Sequence, residues 1–155
     1  MIPVPYDQLS EEQLLALCIW REARGELFLV KMCVGQVIVN RAKVACWWNG
    51  DTVSIRATIL HPFQFSSFNA DDPNADKWPE DDSQAWQDSI LAQKSAMNQS
   101  LADPTDGATY YFDKSISWPS GWGKEADYEN TVNLGNMRFF KPKPKDAQAP
   151  FLESE

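Results

Sequence analysis

The chain has 155 residues, 43% of them hydrophobic and 23% charged, a make-up that suits one globular domain able to bury its own core. Its formal net charge of −8 argues against nucleic acid and against an anionic membrane surface, since both select a clustered basic face. Three cysteines without metal-ligand spacing and a single histidine, His61, offer no zinc site of His/Cys type, so no metal and no cofactor is expected.

The first residues, Met1 to Asp7, carry neither a basic stretch nor a long apolar run. They predict no export signal and no membrane-spanning segment, and hence synthesis in the cytoplasm. Ser10-Glu11-Glu12-Gln13 has the form of a capping box, which predicts a helix from Glu11 to about Arg24, with Gly25 as its left-handed stop. Leu14, Leu15, Cys18 and Ile19 form the buried stripe of that helix. A second helix is predicted over about 28–43, with Val30, Val34, Val37 and Ile38 inward. Gly35 in its middle costs about 1 kcal/mol against alanine and marks a close helix contact. Cys46 to Gly50 reads as a turn, and Thr52 or Ser54 caps a short helix that His61-Pro62 stops after Leu60.

Phe63 to Phe68 alternates apolar and polar residues and predicts a short strand or extended segment. The acidic stretch over 69–82 reads as a solvated loop whose spacing matches no calcium-binding motif. Ser83 caps a third long helix to about Leu101, with Trp86, Ile90, Met97 and Leu101 inward. Ala108 to Phe112 and Asn136 to Phe140 are strand candidates, separated by an aromatic loop with Trp118 and Trp122. The sum is an α+β chain, mainly α. Residues 1–140 form a single domain of three main helices and a small β element, and 141–155 form an extended Lys/Pro tail.

Glu22 follows Cys18 by four residues and Leu15 by seven, so at roughly 100° per residue it shares their apolar face. Two readings stand side by side: a salt bridge with Arg21 or Arg24 at the helix end, or a catalytic acid/base. Neighbours one and two residues away do not face each other on a helix. Burial raises a carboxyl pKa, and the negative end of the helix dipole disfavours its ionised form. Both effects favour a protonated carboxyl, which is what a general acid requires. Gln64 and Ser66 flank Phe65 and project together from an extended segment, either toward a ligand or toward each other and the backbone. Tyr110, Tyr111, Trp118 and Trp122 are candidates for a sugar-stacking cleft, with core packing as the alternative. There is no serine elbow, cysteine–histidine pairing or phosphate-cradling loop.

The order Trp20-Arg21-Glu22-Ala23-Arg24-Gly25-Glu26, Val34 to Arg41, Gln64-Phe65-Ser66, Asp103 to Phe112, Trp118 and Leu134 to Phe140 resembles the spore-cortex-lytic cell-wall hydrolase family (SleB type). The resemblance covers about residues 11–140. It implies a lysozyme-like domain that cleaves peptidoglycan between N-acetylmuramic acid and N-acetylglucosamine. Glu22 matches the family's catalytic glutamate. In a lytic transglycosylase it protonates the glycosidic oxygen and then takes the proton of the muramyl 6-hydroxyl, giving a 1,6-anhydro product. One carboxyl suffices there because the substrate supplies the nucleophile, unlike the two-carboxylate glycosidases. Gln64, Ser66, Tyr111, Trp118 and Asn136 carry over as cleft residues. Met137 departs from the family's usual histidine and Phe140 from its common tyrosine.

Two other readings remain open at this level. One is a non-catalytic relative that binds cell wall or serves as a virion component. The other is a muramidase that uses water, with Glu26 or Asp51 as its second carboxylate. A domain of this kind without an export signal or wall-binding module looks like one that a bacteriophage encodes, reaching the wall after release or within a virion. The sequence leaves the oligomeric state undetermined.

Overall fold

The computed structural model describes residues 1–62 and 64–144; from residue 145 onward the expected tail lies outside the described residues. Helix α1 spans Glu11–Ala23 and opens on the expected capping box. Gln13 N–H donates to Ser10 Oγ at 3.1 Å, and Ser10 N–H donates to Gln13 Oε1 at 2.9 Å. The whole run from Leu14 to Ile19 is buried. Gly25 is not the left-handed stop that was expected. The chain leaves α1 through Arg24 at φ −60° and ψ −27°, and the Glu26 N–H closes the turn on the Ala23 carbonyl at 2.9 Å.

Helix α2 spans Phe28–Ala42, with Val30, Val34, Val37 and Ile38 fully enclosed. Gly35 is the close contact anticipated: a Cβ there would lie 2.8 Å from Ile19 Cδ1 of α1 and 3.3 Å from Ala96 Cβ. Helix α3, Ile55–Leu60, is capped by Ser54 and stops at His61. Helix α4, Gln84–Met97, carries Ala96 and is shorter than expected. Its buried face is Trp86, Ser89, Ala92, Gln93 and Ala96, while Leu101 is 53% exposed. The reason is steric. Small residues at 89, 92 and 96 let α4 approach Gly35, and that approach fixes its rotation more strongly than the larger Ile90 and Met97 do.

Three antiparallel strands follow in the order β1-β3-β2: β1 Tyr110–Asp113, β2 Tyr128–Leu134 and β3 Met137–Pro142. The middle strand reaches Lys141 and Pro142, beyond the expected Phe140. Strand β2 escaped the sequence pattern because it is a half-exposed edge, and a register shift between Asn130 and Val132 interrupts its alternation. Gly135, at φ +54°, turns β2 into β3. A Cβ at that position would stand 3.1 Å from Val30 Cγ2, so the hairpin tip lies against α2.

The segment near Phe65 is not a strand. Phe65 is extended, and Ser66–Phe68 then form a single 3-10 turn; Phe63 lies outside the described residues. Phe65 and Ser67 are buried and Ser66 between them is exposed. A turn that buries alternate residues leaves the same period-two signature as a strand. The architecture is α+β and mainly α, as expected.

Candidate active site

Three parts of the chain converge on Glu22: the end of α1, the turn at 64–68 and strand β1. Its carboxylate accepts a hydrogen bond from Tyr111 Oη at 2.9 Å on Oε1 and one from Ser67 Oγ at 3.4 Å on Oε2. None of the ion pairs among the described residues includes Glu22. Arg21 and Arg24 therefore do not lock it, and the salt-bridge reading fails.

Arg21 works on the neighbouring loop. Buried among the rings of Tyr6, Phe68 and Trp78, it donates to the carbonyls of Ser67, Ala75 and Lys77 at 3.1, 3.0 and 3.2 Å and to Tyr6 Oη at 2.8 Å. It thereby seats Ser67 beside Glu22. Arg24 lies over the ring of Trp20 and donates to Asn74 Oδ1 of the same loop at 3.4 Å.

Tyr111 is placed from the opposite side. Asn40 and Arg41, at the end of α2, hold the entry to β1. Asn40 Nδ2 donates to the Ala108 carbonyl and to Asp103 Oδ2, both at 2.9 Å, and Arg41 Nε donates to the Thr109 carbonyl. Asp103 also accepts from Thr105 N–H and Oγ1 and from Gly107 N–H. Burial pushes the Asp103 carboxyl up, but these hydrogen bonds outweigh it and hold the group below its ordinary value. The Asp103-Pro-Thr-Asp-Gly run is thus a turn that aims β1, where a single residue, Tyr110, separates Thr109 from Glu22's partner Tyr111.

Burial is the main influence on Glu22 and raises its pKa. The bonds from Tyr111 and Ser67 pull it down, Asp72 raises it, and Arg41 lowers it; the net shift is upward. Tyr111 is pushed well above its ordinary range, first by burial and then by Glu22, so it stays a donor. A carboxyl biased toward its protonated form, with a fixed donor on one oxygen, is suited to general acid catalysis.

Glu22 opens into a groove of about 360 Å³ lined by Arg41, Trp47, Gln64, Phe65, Tyr111, Gly121 and Trp122. Of the residues expected from sequence, Gln64 and Tyr111 meet Glu22 here. Ser66 points to solvent, and its neighbour Ser67 makes the contact instead. Trp118 packs behind Trp122 and against Phe112 and Phe140, its Nε1 donating to the Gly123 carbonyl at 2.9 Å. Asn136 sits at the β2–β3 turn and donates to Glu26 Oε1 at 3.4 Å. Met137 and Phe140 are buried. Sequence reasoning did not assign Ser67, Arg41 or Trp47 to the site. Arg41 carried a usable signal: it continues the Val34 and Ile38 stripe at helical spacing, the same anomaly that singles out Glu22.

A mainly helical domain with one buried carboxyl in an aromatic-lined groove has the form of an enzyme. The chain belongs to the cell wall hydrolase family, whose model matches residues 25–140; Glu22 lies three residues ahead of that match. Among solved structures, the catalytic domain of the Bacillus cereus SleB protein is similar at 26% identity, over 84% of this chain and 89% of that one, with a TM-score of 0.63. The catalytic domain of the germination-specific lytic transglycosylase SleB from Bacillus anthracis shares the fold at 24% identity and a TM-score of 0.65, over 89% of this chain and 100% of that one. No curated protein matches the sequence.

Proposed function

We propose that this enzyme works at the bacterial cell wall as a peptidoglycan lytic transglycosylase, cleaving between N-acetylmuramic acid and N-acetylglucosamine with Glu22 as general acid and then base. The observation that carries the reading is that Glu22 is the single carboxylate among the groove-lining residues. Its first task is to protonate the glycosidic oxygen. Ionised by that transfer, and held by Tyr111 and Ser67, it then accepts the proton of the muramyl 6-hydroxyl as that oxygen attacks the anomeric carbon and closes the 1,6-anhydro ring. The exposed Trp47 and half-buried Trp122 at the rim offer faces on which sugar rings stack.

A water-using muramidase needs a second carboxylate across the scissile bond. Asp51 lies exposed in the turn after Gly50, and Glu26 faces Asn136; neither lines the groove, which favours the single-carboxylate route. The test is mass analysis of the muropeptides released from purified peptidoglycan. Anhydro-muramyl ends are expected, and reducing ends that have taken up water would refute transglycosylation. Glu22→Gln is expected to lower the rate by at least about 100-fold, the scale of a lost general acid, while the fold is kept. Retained activity would refute the assignment of Glu22.

A further inference from the structure

Arg41 is only 6% exposed, yet it lines the groove that Glu22 opens into. Its Nε–H is committed to the Thr109 carbonyl, which fixes the guanidinium plane. The guanidinium carbon lies 5.5 Å from the Trp48 ring centre, 5.8 Å from Phe65 and 5.4 Å from Tyr110. These aromatic faces offset part of the cost of removing the cation from water. Among the described residues its two amino groups have no hydrogen-bond acceptor, and no carboxylate lies within ion-pair distance. Buried guanidinium groups are ordinarily paired, because an uncompensated charge in a dry site is unfavourable. Here the fork stands open toward the substrate groove.

We propose that Arg41 is the anion-recognition residue of the groove, its amino groups pairing with a carboxylate carried by the glycan strand. This rests on the reading of the groove as a peptidoglycan site. Such strands offer two sources of that group: the lactyl carboxyl of a muramyl residue whose peptide has been removed, and the free carboxylates of an attached peptide stem. Either presents the planar pair of oxygens that a guanidinium fork engages bidentately. Neutral acetamido-glucose polymers present none, so Arg41 would separate muramyl strands from chitin-like ones.

The experiment is a binding titration with soluble glycan strands in the Glu22→Gln background, alone and combined with Arg41→Gln or Arg41→Lys. Four probes are used: strands with intact stems, strands stripped by an amidase, and each of these with all carboxylates converted to amides. Arg41→Gln is expected to raise Kd roughly ten- to hundredfold, the range for a lost hydrogen bond between charged groups. Arg41→Lys is expected to recover part of the affinity, keeping the charge and losing the fork. On amidated strands the three proteins should bind alike. An effect confined to stem-bearing strands assigns the stem carboxylate, and one confined to stripped strands assigns the lactyl carboxyl. The proposal is overturned if Arg41→Gln weakens amidated and unmodified strands equally, or if it leaves affinity unchanged. Should Arg41→Gln fail to fold, the Arg41→Lys comparison on the amidated and unmodified probes decides alone. Cleavage by Glu22→Gln would sink the catalytic reading without touching these affinities.

Discussion

Tyr111→Phe removes one hydroxyl and leaves the ring that packs near Phe139. That hydroxyl donates to Glu22 Oε1 at 2.9 Å, and it is the strongest influence opposing the burial that raises the Glu22 pKa. Hydrogen bonds to a charged group contribute about 1.5–3 kcal/mol, and a tenfold change in protonation corresponds to about 1.4 kcal/mol. Losing this one therefore moves the titration of Glu22 upward, and less so if water enters the vacated space. The general acid must be protonated in the free enzyme, so kcat/KM falls as pH rises through the Glu22 pKa. A pH profile of kcat/KM on soluble glycan strands should show that fall at higher pH in Tyr111→Phe than in wild type. The maximal rate should drop as well, because the ionised Glu22 formed after proton transfer has lost its donor. A descending limb at the same or lower pH, with the fold intact, would refute Tyr111 as the group that sets Glu22's charge.

The same electrostatics make a stability prediction for Glu22→Gln. A carboxyl whose folded pKa is raised contributes its stability below the unfolded value and loses it as pH rises through the folded value. Relative to wild type, Glu22→Gln should thus gain in melting temperature from acid toward pH 8; the opposite trend would mean the ionised form is the stabilised one. Gly35→Val should be destabilised by about 2–3 kcal/mol, since added atoms meet Ile19 Cδ1 and Ala96 Cβ in an enclosed core. Gly35→Ala should lose less, because it adds only the Cβ and gains about 1 kcal/mol of helix propensity over glycine. At about 2–4 °C per kcal/mol, thermal melts resolve that order, and equal melting temperatures would contradict the close packing. Arg21→Met should cost about 2–4 kcal/mol by leaving the carbonyls of Ser67 and Ala75 without their donor. It should also expose the 66–77 loop to protease and lower activity; a loop equally resistant to cleavage would refute the clamp.

Much of the helical layer was legible because its signals are local. Ser10 and Gln13 cap α1 by side-chain chemistry alone, and the Leu14 to Ile19 run, apolar all round the helix, is enclosed on every side. Glu22 was legible for the same reason, as a charge on an apolar stripe. What the sequence hid depends on contacts far along the chain. Ser67 rather than Ser66 meets Glu22 because Arg21 takes the Ser67 carbonyl, and no spacing within 63–68 encodes that grip. The rotation of α4 follows from Gly35, more than fifty residues away from Ala96. Strand β2 exists because β3 templates it, with half of its side chains in solvent. Trp118 and Trp122 looked equivalent in sequence; the tilted and edge-on packing of Trp118 against Tyr128 and Phe140 leaves Trp122 as the one of the two that lines the groove.

Arg21 and Glu22 are consecutive residues, one gripping the loop and the other facing the groove. That adjacency bears on how the chain tolerates changes in length. Residues inserted between Ser67 and Lys77 would change the spacing of the three carbonyls that converge on one guanidinium, and the displacement would reach Ser67 and hence Glu22. Residues added at the exposed turn near Asp82, outside the grip, would leave those carbonyls in place. Variation in loop length among functional versions of this domain should therefore gather after Lys77, and a graft of a longer acidic loop should succeed only on that side.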